Sequence, residues 1–518
     1  MELLDHIFSY LDREDNAATA RDISDSDSDT ETDIDEDKSH RFLRLPTQAQ
    51  WKKFLPFSRR VRRLWFTTCL ASIVPLLEDI LSTQPAGLAT CFPRLSNLQM
   101  ANSGTYQHLV NAILQHSITI FQIQAHVDDP RYPADAVFQD IVEKAPNIKT
   151  LFFRADQVQS VQDIEAPLCT CFSQLSKLSA VEVPLYFLTT SMANVLLNNE
   201  GIKMITLSGT LHPDHDVSNR EDGRPPNEIA PFSPVLQKGL TRTLHILHLC
   251  VSFADAMALF SGGTSSFPSL REILVRSLSV EGENSARSLF TGFERHLPHL
   301  THLYVVATVP RQALEAEPTP EWPAEKEHEA WSFGTLSGVL KLKSLETLEI
   351  ATTHRLAISD RQLEILAKNL RHLKCLSLNP IPRVQRVPIL TLQSMISLAK
   401  HCPGLEELSL FVNAGAASFN HGTPAADVVP FSSNLILLRL NASPASDALR
   451  DDIVLFLSRL LPPQTQVKTT FPSFHMDTPT KLPKPATGNT WRWIEDHLRF
   501  AVKARQEERD RAAQRILS

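Results

Sequence analysis

One phrase recurs along this chain and limits what it can fold into. PHLTHLYV, KSLETLEI, LRHLKCLSL, PGLEELSL and SNLILLRL each space three apolar residues as apolar-x-x-apolar-x-apolar. The triplets are Leu300, Leu303, Val305; Leu345, Leu348, Ile350; Leu373, Leu376, Leu378; Leu405, Leu408, Leu410; and Leu435, Leu438, Leu440. Side chains alternate along a strand, so the last two of each triplet share one face, and the first closes the turn beneath them. Looser copies run back to Val61, Leu64 and Phe66. The first apolar positions are Val61, Leu95, Ile118, Ile148, Leu178, Ile202, Leu244, Leu270, Leu300, Leu345, Leu373, Leu405 and Leu435. From 61 to 435 there are 374 residues over twelve steps, a mean period of about 31.

Helical runs precede the phrases. SDRQLEILAKN (359–369), TYQHLVNAILQH, ADAVFQDIVEKA, YFLTTSMANVLLNN, NSARSLFTGFERHL and TLQSMISLAKHC all carry apolar residues at helical spacing. Strand and helix in each unit, repeated thirteen times, resemble leucine-rich repeats, although those usually run about 20–29 residues. The resemblance implies an α/β solenoid of the irregular, ribonuclease-inhibitor-like horseshoe kind, spanning 41–461. Its strands would line a concave face and its helices would lie outside. Two gaps hold long polar insertions, HPDHDVSNREDGRPPNEIAPFSP and PRQALEAEPTPEWPAEKEHEAW. Insertions of this kind belong on loops and often carry function in repeat proteins.

The segment 1–21 opens with an amphipathic helix whose Leu3, Leu4, Ile7, Phe8 and Leu11 share one face. With Glu2 and Asp15 these residues resemble the first helix of an F-box, which reads E-L-L-x-x-I-F-x-x-L before a later Asp. The match stops there, and the helix with a Cys-Arg-x-Trp type of ending that completes the family's box is missing. The whole chain thus resembles the F-box/leucine-rich-repeat proteins common in basidiomycete fungi, with a truncated box. That resemblance implies a substrate-recognition subunit of an SCF-type ubiquitin ligase. Leu3, Leu4, Ile7, Phe8 and Leu11 would anchor the Skp1 adaptor, and through it a cullin, as an apolar helix face in a groove. The repeats would hold an unknown target protein. The alternative is a leucine-rich-repeat scaffold that no longer binds Skp1. On geometry alone, target contacts fall to the x positions of the strands, here Lys374, Ser377, Glu406, Glu407 and Ser409.

Residues 22–40 hold the run DISDSDSDTETDIDED, with nine acidic residues and no basic one. It cannot bury apolar area, so a disordered linker is expected. Ser24, Ser26 and Ser28 each have a carboxylate three residues later, the surroundings that an acid-directed kinase favours. Removing the run changes the net charge from −7 to −7 + 9 = +2, so the chain carries no field of the kind that signals nucleic-acid binding. WKKFLPFSRRVRRLWF (51–66) reads as the polar face of a capping unit beside that run, or as a nuclear-import patch. At the far end, 462–490 reads as a Pro-rich linker, and 491–518 as a helix whose face Trp491, Ile494, Leu498, Val502 docks.

No signature of catalysis emerges. Sixteen glycines supply no G-x-G-x-x-G and no P-loop, and Gly334 and Gly338 flank Leu336 instead of a nucleophilic serine. His245-x-x-His248 and His299-x-x-His302 point to opposite faces of a strand and cannot share an ion. His212 and His215 lie in a polar loop. Seven scattered cysteines, of which Cys169 and Cys171 are the only close pair, suit a reducing compartment. No membrane span or signal peptide is expected, and the chain is expected in the cytoplasm or nucleus. The reading is a protein-interaction subunit that is not an enzyme, with no metal, no cofactor and no nucleic-acid partner.

Overall fold

The structure, a computed structural model, describes residues 45–66, 70–83, 87–100, 107–125, 133–155, 161–208, 232–237, 240–262, 267–307, 330–352, 354–380, 387–415, 429–440, 443–468 and 487–517. The F-box-like segment 1–21, the acidic run, most of both long insertions and most of the Pro-rich stretch lie outside these residues. The chain divides into two compact units, Met1–Thr210 and Leu211–Ser518.

The first unit opens with a helix, Gln48–Ser58, started by a capping box between Thr47 and Gln50. Six parallel strands follow, β1 Arg63–Phe66, β2 Asn97–Met100, β3 Ile120–Ala125, β4 Thr150–Ala155, β5 Ala180–Val183 and β6 Met204–Leu207. Each pairs with the next in chain order. The helices Leu70–Thr83, Gln107–Ile113, Ala134–Lys144, Val161–Gln174 and Thr190–Leu197 connect them. The second unit repeats the plan with β7 Ile246–Cys250, β8 Glu272–Ser277 and β9 His302–Ala307. A short pair, β10 Trp331–Ser332 and β12 Leu356–Ala357, flanks β11 Thr347–Thr352. β13 Cys375–Leu378, β14 Glu407–Leu410, β15 Leu437–Arg439 and β16 Gln466–Lys468 complete its parallel ladder.

Each described strand of the two ladders follows one of the thirteen phrases, except the last. β16 lies past Leu435, inside the stretch read as linker, and extends the ladder through Leu438↔Val467. Three residues centred on a single buried valine give the periodic pattern too little to repeat. The C-terminal helix also begins earlier than expected, at Thr487. Trp491, Ile494, Leu498 and Val502 are buried as the spacing predicts, and Trp491 Nε1 donates to Ser443 O at 2.6 Å.

Two backbone devices recur. Before each strand an i→i+3 turn brings the residue ahead of the phrase under its first apolar residue, as when Leu373 N donates to Leu370 O (3.3 Å) and Leu405 N to Cys402 O (3.2 Å). In five repeats the second turn residue is proline (Pro93, Pro146, Pro268, Pro298, Pro403), whose fixed φ suits that position. At the start of the strand, one carbonyl then takes two N–H groups from the following repeat. Glu346 O accepts from Lys374 N and Cys375 N (2.7 and 3.0 Å), and Lys374 O from Glu406 N and Glu407 N (2.7 and 2.9 Å). Where the first x position is Ser or Thr, its hydroxyl joins the same acceptor, as Thr301 Oγ1 does on Arg271 O at 3.0 Å.

The core lies between strands and helices. Leu348, Leu376, Leu408 and Leu438 form one continuous row across four strands, all fully buried. Phe138 of the helix Ala134–Lys144 meets Phe153 of β4 at 5.8 Å between ring centres. The helix Asp360–Asn369, capped by Ser359 and Gln362, buries Leu363, Leu366 and Ala367 against the same layer. Asn379 closes β13 at φ 45°, a conformation asparagine tolerates, and its amide bonds Thr352 N and His354 O, both at 3.1 Å.

At Gly338 the backbone leaves no room: an added Cβ would lie 2.3 Å from the carbonyl oxygen of Phe290 in the helix Glu283–His296. At Gly334 the nearest neighbour would be Ser332 Oγ at 3.4 Å. Gly338→Ala should therefore destabilise by about 1–3 kcal/mol through overpacking, and Gly334→Ala by much less. In the buried row, Leu376→Ala should cost about 2–5 kcal/mol. Lys374→Ala, at an exposed residue just ahead of the same strand, should stay within about 0.5 kcal/mol. Denaturant unfolding of the four variants measures all of these; equal losses at Leu376 and Lys374 would mean the strand is phased wrongly.

Candidate interaction face

The strand positions between the apolar residues point away from the helices and form rows across neighbouring strands. In the second unit one row runs Glu272, His302, Thr347, Cys375, Glu407, Leu437, and the next runs His248, Leu274, Tyr304, Glu349, Ser377, Ser409, Arg439. Adjacent members stand about 4.8 Å apart, the spacing of paired strands. The chemistry of these rows changes from strand to strand, whereas the buried rows stay apolar.

Charged groups on this face and just ahead of its strands pair laterally. Lys374 Nζ meets Glu346 Oε2 at 2.7 Å, lowering the Glu346 carboxyl and raising Lys374, both on exposed side chains. Arg439 meets Glu407 at 3.3 Å, with the arginine almost covered and the carboxylate about half exposed. His248 is fully buried, and its Nε2 meets Glu272 Oε1 at 3.1 Å. Burial, with Glu272 and Glu349 beside it, pushes the Tyr304 hydroxyl up. Burial, with Glu407 and Glu349 adding to it, pushes the Cys375 thiol up to about 12.

Of the residues expected to contact a target, Lys374 and Glu406 are exposed and Glu407 is partly so. Ser377 and Ser409 correct the expectation, being only 3 % exposed each. Their short side chains sit between Glu349 and Arg439 in the same row and do not rise above these longer neighbours. The sequence reading missed Glu272, Tyr304 and Glu349, and with them the covered His248 and Arg439 that meet carboxylates of the same rows. They occupy the same offsets in other copies of the phrase and could have been found by applying those offsets throughout. Leu3, Leu4, Ile7, Phe8, Leu11, Ser24, Ser26 and Ser28 lie outside the described residues, as do His212 and His215.

The first unit presents a different face. Trp65, Gln99, Gln122, Phe152 and Glu182 form one row, with Trp65 69 % exposed. Arg63 shares the Trp65 side of β1, and Arg154 pairs with Glu182 at 2.6 Å.

Among the described residues, no group of three or more His, Cys, Asp and Glu is placed to hold a metal ion. Cys169 and Cys171 lie on the helix Val161–Gln174, and burial pushes their thiols up to about 11 and about 12. No described helix is long and apolar enough to cross a membrane.

No protein-family model matches the chain, and no curated protein matches it. Solved structures give loose overlays. A Bacteroides fragilis protein from a structural genomics programme aligns at 13% identity with a TM-score of 0.30, over 55% of this chain and 73% of its own. TLR13 in its ssRNA13 complex aligns at 13% identity with a TM-score of 0.21, over 70% of this chain and 63% of its own. Overlays this loose assign nothing to the chain.

A thiol held near 12 is almost wholly protonated at neutral pH, with a thiolate fraction on the order of 10⁻⁴ at pH 8. Cys375 in the native chain should therefore react with a thiol-specific reagent at pH 8 at least ~100-fold more slowly than in denaturant. Peptide mapping by mass spectrometry reads the difference, and comparable rates would place Cys375 in an accessible setting.

Proposed function

We propose that the chain is a leucine-rich-repeat interaction subunit whose open sheet face holds a target protein. The observation that carries this reading is the contrast between the rows. Buried positions are uniformly apolar, while the outward rows vary residue by residue and, with Lys374 and Glu406 just ahead of the strands, keep charged ends in reach of solvent, as at Glu407. A surface built this way offers polar groups on a rigid spacing, and a partner that matches them gains specificity from complementary charge. No described cluster offers a competing chemistry.

The finer proposal places the chain as the substrate-recognition component of an SCF-type ubiquitin ligase, with an irregular horseshoe solenoid for the target. Its support is the F-box resemblance of Glu2, Leu3, Leu4, Ile7, Phe8, Leu11 and Asp15 ahead of the repeats. The second reading, a scaffold that has lost Skp1, is favoured by the end of that resemblance at Asp15.

Co-purification with Skp1 separates the two. If Leu3, Leu4, Ile7, Phe8 and Leu11 form an anchor face, the intact chain should retain Skp1, and a chain with Ile7→Asp and Phe8→Asp should lose it. Equal recovery with both removes the anchor assignment, and no recovery with either leaves the scaffold reading.

A further inference from the structure

We propose that the acidic run Asp22–Asp37 of this chain docks in cis on the basic edge of the first unit, formed by Arg59, Arg60, Arg62, Arg63 and Trp65. Charge is arranged in two opposed blocks. The run carries nine acidic residues and no basic one; the next forty residues, 38–77, carry nine basic residues and no acidic one. The fold gathers part of the second block at one place. The helix Gln48–Ser58 is pinned through buried Trp51 and Phe54, and leads through a tight turn at Arg59 and Arg60 directly into β1. The four arginines are exposed, and none of them is ion-paired with a carboxylate among the described residues.

β1 is the first described strand of the ladder and pairs with β2; among the described residues no strand lies on its other edge. Arg63 and Trp65 project from the same face of it, and among the described large apolar side chains only Phe500 and Val235 are more exposed than Trp65. A strand edge of this kind beside an exposed tryptophan is a liability that proteins cover or charge. Four arginines close together repel one another, and an anionic chain laid across them relieves that repulsion while screening the edge.

The tether fits. Only residues 38–47 separate Asp37 from the start of the helix, and ten residues reach at most about 36 Å. A tether of this kind holds the run at an effective concentration on the order of a millimolar, enough to fill a site of modest intrinsic affinity. The occupant follows from the same charge pattern: no other stretch of the chain offers nine carboxylates without a cation.

The experiment uses the full chain and a full chain lacking residues 22–37, titrated with a labelled peptide of residues 20–39 and followed by fluorescence anisotropy. The peptide should bind the deleted chain, and roughly tenfold more weakly in about 200 mM salt than in about 50 mM. It should bind the intact chain at least ~tenfold more weakly than the deleted one, because the cis copy holds the site. Arg62→Glu with Arg63→Glu in the deleted chain should abolish binding while circular dichroism and melting stay unchanged; Lys400→Glu, at an exposed cation of the second unit, should leave it intact. Absence of binding to the deleted chain, equal affinity for both chains, or binding that survives the arginine reversals would overturn the proposal. A single-stranded oligonucleotide that bound the intact chain as tightly as the deleted one would overturn it too, and assign the edge to nucleic acid.

Discussion

The fold depends on one repeated hydrogen-bond arrangement, the carbonyl at the first x position that accepts two successive N–H groups from the next repeat. It sets the register of each strand on its neighbour, and everything downstream of it inherits that register. Because Thr301 O, Glu346 O and Lys374 O are engaged in the same way, Leu348, Leu376 and Leu408 fall opposite one another and form a single buried row. A slip of one residue would turn each of those leucines to solvent and bring Glu349 or Ser377 into the core, so the apolar pattern and the backbone bonds enforce the same alignment.

The same alignment creates the outward rows. Side chains that would be remote in sequence are placed at strand spacing, which lets Lys374 reach Glu346 and Arg439 reach Glu407 across intervals of 28 and 32 residues. Exposed pairs of this kind contribute little to stability. Their consequence is a fixed pattern of charge and hydrogen-bonding groups on the side of the strands that faces away from the described helices. The two units differ in it: a cationic, tryptophan-bearing edge in the first, and paired charges around Tyr304 and Cys375 in the second.

Much of the architecture was legible in the sequence because the phrase states the burial of each strand directly. Leu373, Leu376 and Leu378 are buried as their spacing predicts, and Ser359 starts its helix with the capping box that Gln362 completes. What the pattern could not convey is height above the sheet. An x position reads as outward whether it holds lysine or serine, yet Ser377 and Ser409 sink below their neighbours while Lys374 and Glu406 stand clear. Nor does a single-residue pattern announce pairs that form between repeats: His248 read as a member of a histidine doublet, but its partner is Glu272 on the adjoining strand. β16 escaped because one buried valine gives no period.

Native-state hydrogen exchange tests the central claim most directly. If the doubly accepting carbonyls hold the array together, the amides of Lys374, Cys375, Glu406 and Glu407 should exchange slowly and with one common opening free energy. That free energy should lie well above the value for exposed Ile389, which lies outside the strand ladders, since amides without such bonds open at little cost. Exchange at Lys374 and Glu406 as fast as at Ile389 would contradict the account, because the bonds that set the register would then not be formed in solution.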